Sequence, residues 1–597
     1  MCYANANYDL EQFEAKYEHH MSKKFNVPTE DDALILKPLM DHLLTLEKVT
    51  HNDLRNLLHP YKNQKFYKNS FLIQSVYILV ENGVYSQKEE AHLLGLLRVK
   101  RGKSHSGIIS VTIFTSGHPS WIENGIVKQQ EFSCRWSCAY CPTEPSQPKS
   151  YLKQEPGVMR ANQQGFDPCL QMWARMESLH NIGHKMDGCK LEVLVLGGTW
   201  SSYPVLYREQ FIRDTYYAAN TFFDKEKREK KILKEEKDIN KDARCRVIGL
   251  TLETRPDCIN KQEIVRFRSY GCTRVQLGVQ HIDDEILKGI KRQCTTDRFV
   301  KALKLLKDSC FKIDIHLMPG LYGSTPDKDR DMLLNQFLGR NSDTVVEDRC
   351  DMSWETHDIS REDLSADQFK LYPCQIISYT EIEKWYREGK YVPYPEKDMT
   401  RLLYDTKKYM YPWVRVNRIT RDVPTGYQIA TNDRPNSGQI ILDMLKKNGD
   451  VCWCIRCRES KEKDWDGSYI IVVRQYRASG GTEYFVSAES DDKLTLYGFI
   501  RLRICRPATE IFPELEDCAL IRELHVYSNM NPVGDNIKSV QHHGIGKKLL
   551  NTAEKIARDN NRDRIAVIAG VGVQRYYEKL GYFDDSEGKG DFMIKHF

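Results

Sequence analysis

Through the first ~95 positions apolar residues recur at helical spacing: LKPLMDHLLTLEKV and SFLIQSVYILVENG place them at i, i+3 and i+4, and SQKEEAHLLGLLR opens with the Ser-x-x-Glu form of a capping box. From about residue 107 the pattern changes. Short, near-continuous apolar runs (GIISVTI, LEVLVLGG, RVIGLTLETR, RVQLGVQH, KIDIHLMPG, QFKLYP) alternate with amphipathic stretches such as YREQFIRDTYYAANTFF and DRFVKALKLLKD. Strands of that kind separated by helices predict a parallel sheet covered on both faces. After about 466 strands follow one another directly: SYIIVVRQYRA, TEYFVSAES, LTLYGFIRLRI and CALIRELHVYS. A helix (GIGKKLLNTAEKIARDN), a strand (RIAVIAG), a short helix (QRYYEKLG) and a last strand (DFMIKHF) complete an α+β unit of different architecture. The chain therefore reads as an α/β multidomain protein with a helical region over 1–95, a parallel α/β domain over 96–440, a cysteine-rich linker over 441–465 and an α+β domain over 466–597. Two polar runs, Lys225–Arg244 and Asn341–Asp363, interrupt the alternation and are expected to be solvated insertions.

Composition narrows the class. Hydrophobic residues are 41% and charged residues 29%, the balance of a folded chain rather than a disordered one. No run approaches the roughly 18 apolar residues of a membrane helix, and the N-terminus lacks the basic and apolar blocks of a secretory signal. The expectation is a cytoplasmic protein, with room for a nuclear pool and without a membrane partner. Lys and Arg number 88 against 83 Asp and Glu, so the net charge of +5 permits an acidic partner without requiring one. Two stretches could meet RNA phosphates: Arg98–Lys103, and Lys62–Lys68, where basic and aromatic residues interleave.

Of eighteen cysteines, most sit singly in apolar runs, as Cys189, Cys272 and Cys310 do, and read as small buried hydrophobes. Six form two tight groups, which in an intracellular chain favours metal over disulfide. Cys134-Arg-Trp-Ser-Cys138-Ala-Tyr-Cys141 can hold three corners of a 4Fe–4S cube and leave the fourth iron open. A zinc reading needs a fourth ligand and leaves Tyr140 unexplained. Cys452-Trp-Cys454-Ile-Arg-Cys457 predicts a closed structural zinc, with Cys374, directly after the strand LYP, as candidate fourth ligand. In the last domain, Gln541-His-His-Gly544-Ile545-Gly546-Lys547 opens a helix with free N–H groups at the positive end of its dipole, where a pyrophosphate fits. Read alone, such a loop is a common accident.

The C-x3-C-x2-C loop resembles that of radical S-adenosylmethionine (SAM) enzymes, and the resemblance implies a partial parallel (βα) barrel, a 4Fe–4S cluster and S-adenosylmethionine. Gly197-Gly198-Thr199 resembles the motif that meets the cofactor's methionine amino group. The strand Glu523-Leu524-His525-Val526, the glycine loop and Tyr576-Tyr577 resemble the acetyl-CoA site of GNAT-type acetyltransferases. Together CAYCP, LEVLVLGGTW, GLTLETRPD, YGCTRVQLGVQH, HLMPG, QFKLYP, RVNRITRDVP, IRELHVY, QHHGIGKKLL and VGVQRYYEKLGY, in order from about Ser106 to Phe597, resemble the catalytic subunit family of Elongator.

That family implies formation of 5-carboxymethyluridine at the wobble uridine of tRNA anticodons, from acetyl-CoA and a 5′-deoxyadenosyl radical. It implies tRNA as partner and admits Elongator-like accessory subunits. Lys190 matches the family's acetyl-CoA-contacting lysine, Tyr576 and Tyr577 its thioester tyrosines, and Tyr577 its contact to the cofactor. Arg255, Gln280, Lys370, Arg415 and Arg418 are candidate substrate contacts. The chain departs from the family in Met318-Pro-Gly320, where one carboxylate is missing, and in its longer polar insertions. Eukaryotic members also space their first two cluster cysteines more widely. Two other classes compete: a protein lysine acetyltransferase with Glu523 as base and an iron–sulfur barrel as scaffold, and a non-catalytic tRNA-binding subunit.

Overall fold

The computed structural model describes residues 28–61, 68–98, 107–339, 356–357, 361–431, 434–460, 467–527, 544–584 and 590–597. One N-terminal helix begins where its Ser-x-x-Glu box predicts, and another carries a box of its own. Thr29 with Asp32 and Ser86 with Glu89 form reciprocal capping boxes for α1 (Glu30–Leu43) and α3 (Gln87–Leu97), with α2 (Asn69–Glu81) between them. Leu36, Met40, Leu72, Val76 and Leu94 bury a small core of their own. This bundle docks on the next domain through Tyr77, stacked 4.3 Å from His180, and Arg98, whose Nε donates to the Gly183 carbonyl at 2.8 Å.

Seven strands then form one wholly parallel sheet in chain order: β1 (Ile109–Phe114), β2 (Cys189–Leu196), β3 (Cys245–Thr254), β4 (Arg274–Gln280), β5 (Lys312–Leu317), β6 (Gln368–Leu371) and β7 (Arg415–Arg418). The sheet ends at β1 and β7 without closing, so it is a partial barrel. Helices α4 (Pro156–Gln163), α5 (Pro168–His180), α6 (Val205–Asn220), α7 (Leu233–Asn240), α8 (Thr296–Asp308), α9 (Glu396–Lys408) and α10 (Ser437–Lys447) follow the strands. In β2, Leu191, Val193 and Val195 are buried in the core with Trp173 and Phe211 of α5 and α6. The intervening Lys190, Glu192, Leu194 and Leu196 face the barrel's hollow. Strand β7 was not expected, because RVNR carries a single apolar residue, Val416.

The run Lys225–Arg244 is solvated over most of its length, as expected, but it is also anchored. Arg228 grips the fully buried Glu236 through two bonds of 2.7 Å, and Lys230 pairs with Asp214 of α6 at 2.9 Å. Further along, Lys237 pairs with Asp591 and Asp242 with Arg575 at 2.9 Å, so the segment clamps the barrel to the last domain. Of Asn341–Asp363, only Thr356–His357 and residues from 361 lie among the described residues; that dipeptide adds a short parallel strand to the second sheet.

The second sheet contains β8 (Ile470–Ala478), β9 (Gly481–Glu489), β10 (Leu496–Ile504), β11 (Cys518–Val526), β12 (Arg564–Val567), β13 (Phe583–Asp584) and β14 (Met593–His596), in the order β13-β14-β12-β11-β10-β9-β8. One face packs α11 (Ile545–Asp559), with Val486, Ile500, Leu549 and Ala553 in the core. The other shares one apolar cluster with the barrel, in which Tyr476, Phe485 and Phe592 join Leu252 and Trp413. Ile441 and Leu445 of α10 and Cys452 belong to the same cluster, so the described part of this stretch, 441–460, packs against the barrel. At this seam Arg522 meets Asp367 at 2.6 Å and Glu483 at 2.9 Å, Arg503 meets Asp308 at 2.5 Å, and Lys307 meets Glu483 at 3.4 Å, all out of water. Backbones also touch: a Cβ on Gly570 would collide with the Ile248 carbonyl of β3, and one on Gly572 would lie 2.6 Å from Arg246 Cβ. No helix among the described residues is long and apolar enough to cross a membrane.

Candidate active site

The hollow of the barrel and the open end of the second sheet form one cavity of about 1310 Å³. Two features of the second sheet create its far wall. Strand β11 pairs with β12 from Cys518↔Arg564 only as far as Ile521↔Val567, so Glu523–Val526 splay away with their backbone on the cavity. Beside them Gly544, at φ +77°, ends the loop into α11 in a conformation that favours glycine. Gly546 then leaves the first turn bare, and a Cβ there would stand 3.1 Å from the Tyr576 hydroxyl and 3.7 Å from Val526. Ile545 is buried in the α11 core, whereas Lys547 lines the cavity. Gln541 lies outside the described residues.

The tyrosine pair divides its labour. Tyr577 is 6% exposed and packs edge-on to Tyr582 in the core, while Tyr576 is 39% exposed and holds its hydroxyl over Gly546. Lys190 opposes them from β2. It stands in register with Arg246 of β3, and burial, then the Arg246 charge, lowers its ammonium pKa. Neither cation has a carboxylate partner among the described residues.

At the other end, Cys134, Cys138 and Cys141 are free thiols on the loop that follows β1. Gly197 and Gly198, at φ +121° and +102°, let the turn after β2 press against Thr115 and Ser133 beneath this loop, and Thr199 Oγ1 lies 3.1 Å from Cys134 Sγ. Arg255 and Arg292 aim guanidinium groups at Cys138 Sγ from 3.5 and 3.6 Å. Burial would raise the Cys138 pKa, but the Arg292 and Arg255 charges outweigh it and lower it. Three thiols on one loop, one facing two cations, suit a cluster that needs thiolates. Arg255 was expected on substrate; its bonds instead go to Asp257, the Arg292 carbonyl and Cys138, turned away from the cavity.

Between the two ends lies a polar interior. Lys370 donates to Gln276 at 2.7 Å and stands 3.8 Å from Asp314, while Asn417 donates to Asp314 at 3.0 Å. Tyr151 donates to Glu253 at 2.8 Å, and His316 Nδ1 is 3.5 Å from the same carboxylate. Burial raises the Glu253 pKa and, with Lys370, drops that of His316 well below its usual range. Gln280 ends β4 at φ +75°, with its Oε1 buried and unpaired among the described residues. Arg415 is bonded to Glu459, to Asn417 at 2.8 Å and to Tyr527 at 3.3 Å; Arg418 is exposed at the rim, 3.4 Å from Asp422. Glu253, Gln276, His316, Arg246 and Asn417 were not expected from sequence. Alternation was their signal: Lys312, Asp314 and His316 interleave with Ile313, Ile315 and Leu317 in a strand otherwise read as apolar on both faces.

Charge sets the cavity apart. Sixteen Lys and Arg line it against six Asp and Glu, an excess of ten in a chain whose whole excess is +5. Each carboxylate already has a partner: Glu155 with Arg421 (2.6 Å), Glu192 with Arg274 (2.6 Å), Asp422 with Arg418 (3.4 Å), Glu459 with Arg415, Glu523 with Arg501 (3.0 Å) and Glu253 with Tyr151. Arg522, Arg575 and Lys370 are taken by carboxylates outside this lining, Asp367, Asp242 and Asp314, and the remaining cations are left for polyanionic ligands.

The second cysteine group lies apart from this cavity. The sulfurs of Cys452, Cys454 and Cys457 come within 4.8 Å of one another, the spacing one ion needs. Cys374 does not join them. It is buried with Ile286, Leu321 and Tyr391, because the turn after β6 carries it away from these three cysteines. The fourth neighbour is Lys407 of α9, whose Nζ lies 3.2 Å from Cys454 Sγ and 3.1 Å from Cys457 Sγ.

Family models match the radical SAM superfamily over residues 132–334, the radical SAM C-terminal domain over 366–447 and the acetyltransferase (GNAT) family over 452–582. The chain is 35% identical to the tRNA uridine(34) acetyltransferase of Methanocaldococcus infernus over 83% of this chain and 88% of that protein. It is 32% identical to Elongator complex protein 3 of Drosophila melanogaster over 84% and 86%. Among solved structures it resembles the archaeal Elp3 of Methanocaldococcus infernus with TM-score 0.65 and 32% identity, covering 82% of this chain and all of that one.

Proposed function

The chain belongs to the family of tRNA uridine(34) acetyltransferases and Elongator complex protein 3, and from that premise we propose that it makes 5-carboxymethyluridine at the wobble uridine of tRNA, with the acetyl group of acetyl-CoA as carbon source. The observation that carries the proposal is the single cavity, which opens the acetyl-CoA wall of the GNAT sheet directly into the radical SAM barrel. An amine acetylase has no need of such a passage; a carbon–carbon bond-forming enzyme does, because its acetyl donor and its radical source must reach the same atom.

When bound, a 4Fe–4S cluster on Cys134, Cys138 and Cys141 with S-adenosylmethionine supplies a 5′-deoxyadenosyl radical. The chain's own residues divide the remaining work. The Gly544–Lys547 turn and the splayed edge of β11 take the pyrophosphate and pantetheine of acetyl-CoA. Lys190 reaches the cofactor from β2, and the Tyr576 hydroxyl meets the thioester end. Gln280, Lys370 and Arg418 position the nucleotide from the strand ends and rim, whereas Arg415 holds β7 to Glu459 and Tyr527. Cys452, Cys454 and Cys457 would offer three thiolates to a structural zinc, with Lys407 held as an ammonium that neutralises their charge rather than as a fourth ligand.

The state of Glu523 supports this reading over lysine acetylation. Burial would raise its pKa, but Lys312, Arg501 and Arg274 bring it down to about 2. A carboxylate held so firmly in its ionised form is a poor acceptor for an amine proton.

The test is an anaerobic reaction of iron-reconstituted protein with labelled acetyl-CoA and unmodified tRNA, followed by nucleoside analysis. Label in carboxymethyluridine, lost in Cys138→Ala and in Gly546→Trp, is the expected outcome. Label in protein lysine and none in tRNA would establish the acetylase instead.

A further inference from the structure

Within the proposed tRNA chemistry, on which this inference rests, we infer that Arg160 and Arg175 form a phosphate clamp for the RNA backbone at the open edge of the barrel. Neither residue is among the motifs that relate this chain to its family. Their placement follows from the fold. Strand β1 is an unpaired edge, so α4 and α5 border the opening, even though α5 packs its apolar side against the sheet. Gly157 of α4 packs on Phe114 at the end of β1, which sets Arg160 one turn later on the rim. Helix α5 lies along β1 and carries Arg175. Both arginines line the cavity.

Among the described residues, neither arginine has an ion pair or hydrogen bond, and all six of the cavity's carboxylates are engaged elsewhere. Both guanidinium-bearing residues line the same cavity; burial lowers the pKa of each, and the Arg160 charge lowers that of Arg175 further. Two cations brought together without a counter-charge repel, and the arrangement is relieved when an anion bridges them. Guanidinium matches phosphate with paired N–H donors. The anion could come from either polyanion of the reaction. Acetyl-CoA is provided for at the N-terminus of α11, where Lys547 and the bare first turn stand. The edge beside β1 lies away from that helix terminus, on the side where no further strand closes the sheet, and we assign it to the RNA.

The test is a salt titration of unmodified tRNA binding to the full chain, comparing wild type with Arg160→Gln/Arg175→Gln and Arg160→Lys/Arg175→Lys. Loss of two phosphate contacts lowers the slope of log K against log salt by about two for the glutamine pair. The lysine pair restores most of it, which separates lost charge from lost folding. Acetyl-CoA affinity, measured on the same variants, matches wild type. An unchanged slope in the glutamine pair overturns the clamp. So does weaker acetyl-CoA binding with tRNA binding intact, which would assign the arginines to the cofactor's phosphates. Absence of any tRNA binding by wild type would contradict the tRNA reading itself, and the clamp with it.

Discussion

Lys190 is a half-buried cation beside a second cation, with no carboxylate partner among the described residues, and under the proposed function an anionic cofactor would complete its site. Replacing it with methionine keeps the volume and removes the charge-assisted bond, so the KM for acetyl-CoA should rise by about 10- to 100-fold while the thermal midpoint holds. The two tyrosines should part company in the same experiments. Tyr577→Ala empties a core position and should cost about 3–5 kcal/mol in chemical denaturation. Tyr576→Phe should leave stability alone and act on turnover. Chain order alone could not separate these neighbours, because which ring faces inward depends on the helical turn Gln574–Glu578. Cys374 failed for a related reason: nearness to a strand end says nothing about where a turn delivers a side chain. Cys452, Cys454 and Cys457 succeeded because six residues can hardly avoid bringing their sulfurs together.

At the scale of elements, the seam between the two sheets is ionic and tightly packed, and both properties can be probed. Burial would raise Glu483 and Glu489, but their arginine and lysine partners hold both at about 2, below the ordinary 4.5. Carboxylates so depressed contribute stability that is complete above pH ~4.5 and is lost as the pH falls towards 2. Unfolding free energy, followed by denaturant titration, should therefore decline across that window, and Glu483→Gln, which leaves buried cations short of a partner, should cost about 3–5 kcal/mol even at neutral pH. Gly570→Ala should also destabilise, since its Cβ would strike the Ile248 carbonyl. Regular elements were legible in the sequence because apolar periodicity specifies them: six of the seven barrel strands were expected. Strand β7 was not, since its inward residues are polar and its outward face is one valine. The charge run 225–244 is exposed as expected, but its anchoring role was not legible, because periodicity does not reveal that Lys230, Lys237 and Asp242 meet partners on other elements.

For the whole molecule, the central observation is that two domains with separate chemistries enclose one cavity, charged for polyanions and walled by the splayed strand on one side and the barrel strands on the other. Each domain was recognisable from its own motifs, whereas the passage between them was not, because it arises from docking through Gly570, Gly572 and Arg522. The measurement that tests the shared cavity most directly is an anaerobic reaction with S-adenosylmethionine, a reductant, unmodified tRNA and methyl-deuterated acetyl-CoA, read by mass spectrometry of both nucleosides and 5′-deoxyadenosine. Deuterium in the 5′-deoxyadenosine together with carboxymethyluridine in the tRNA is the predicted result. Deoxyadenosine formed without deuterium, in protein shown to bind acetyl-CoA and to carry its iron, would mean that the radical never meets the acetyl group, and would contradict the account.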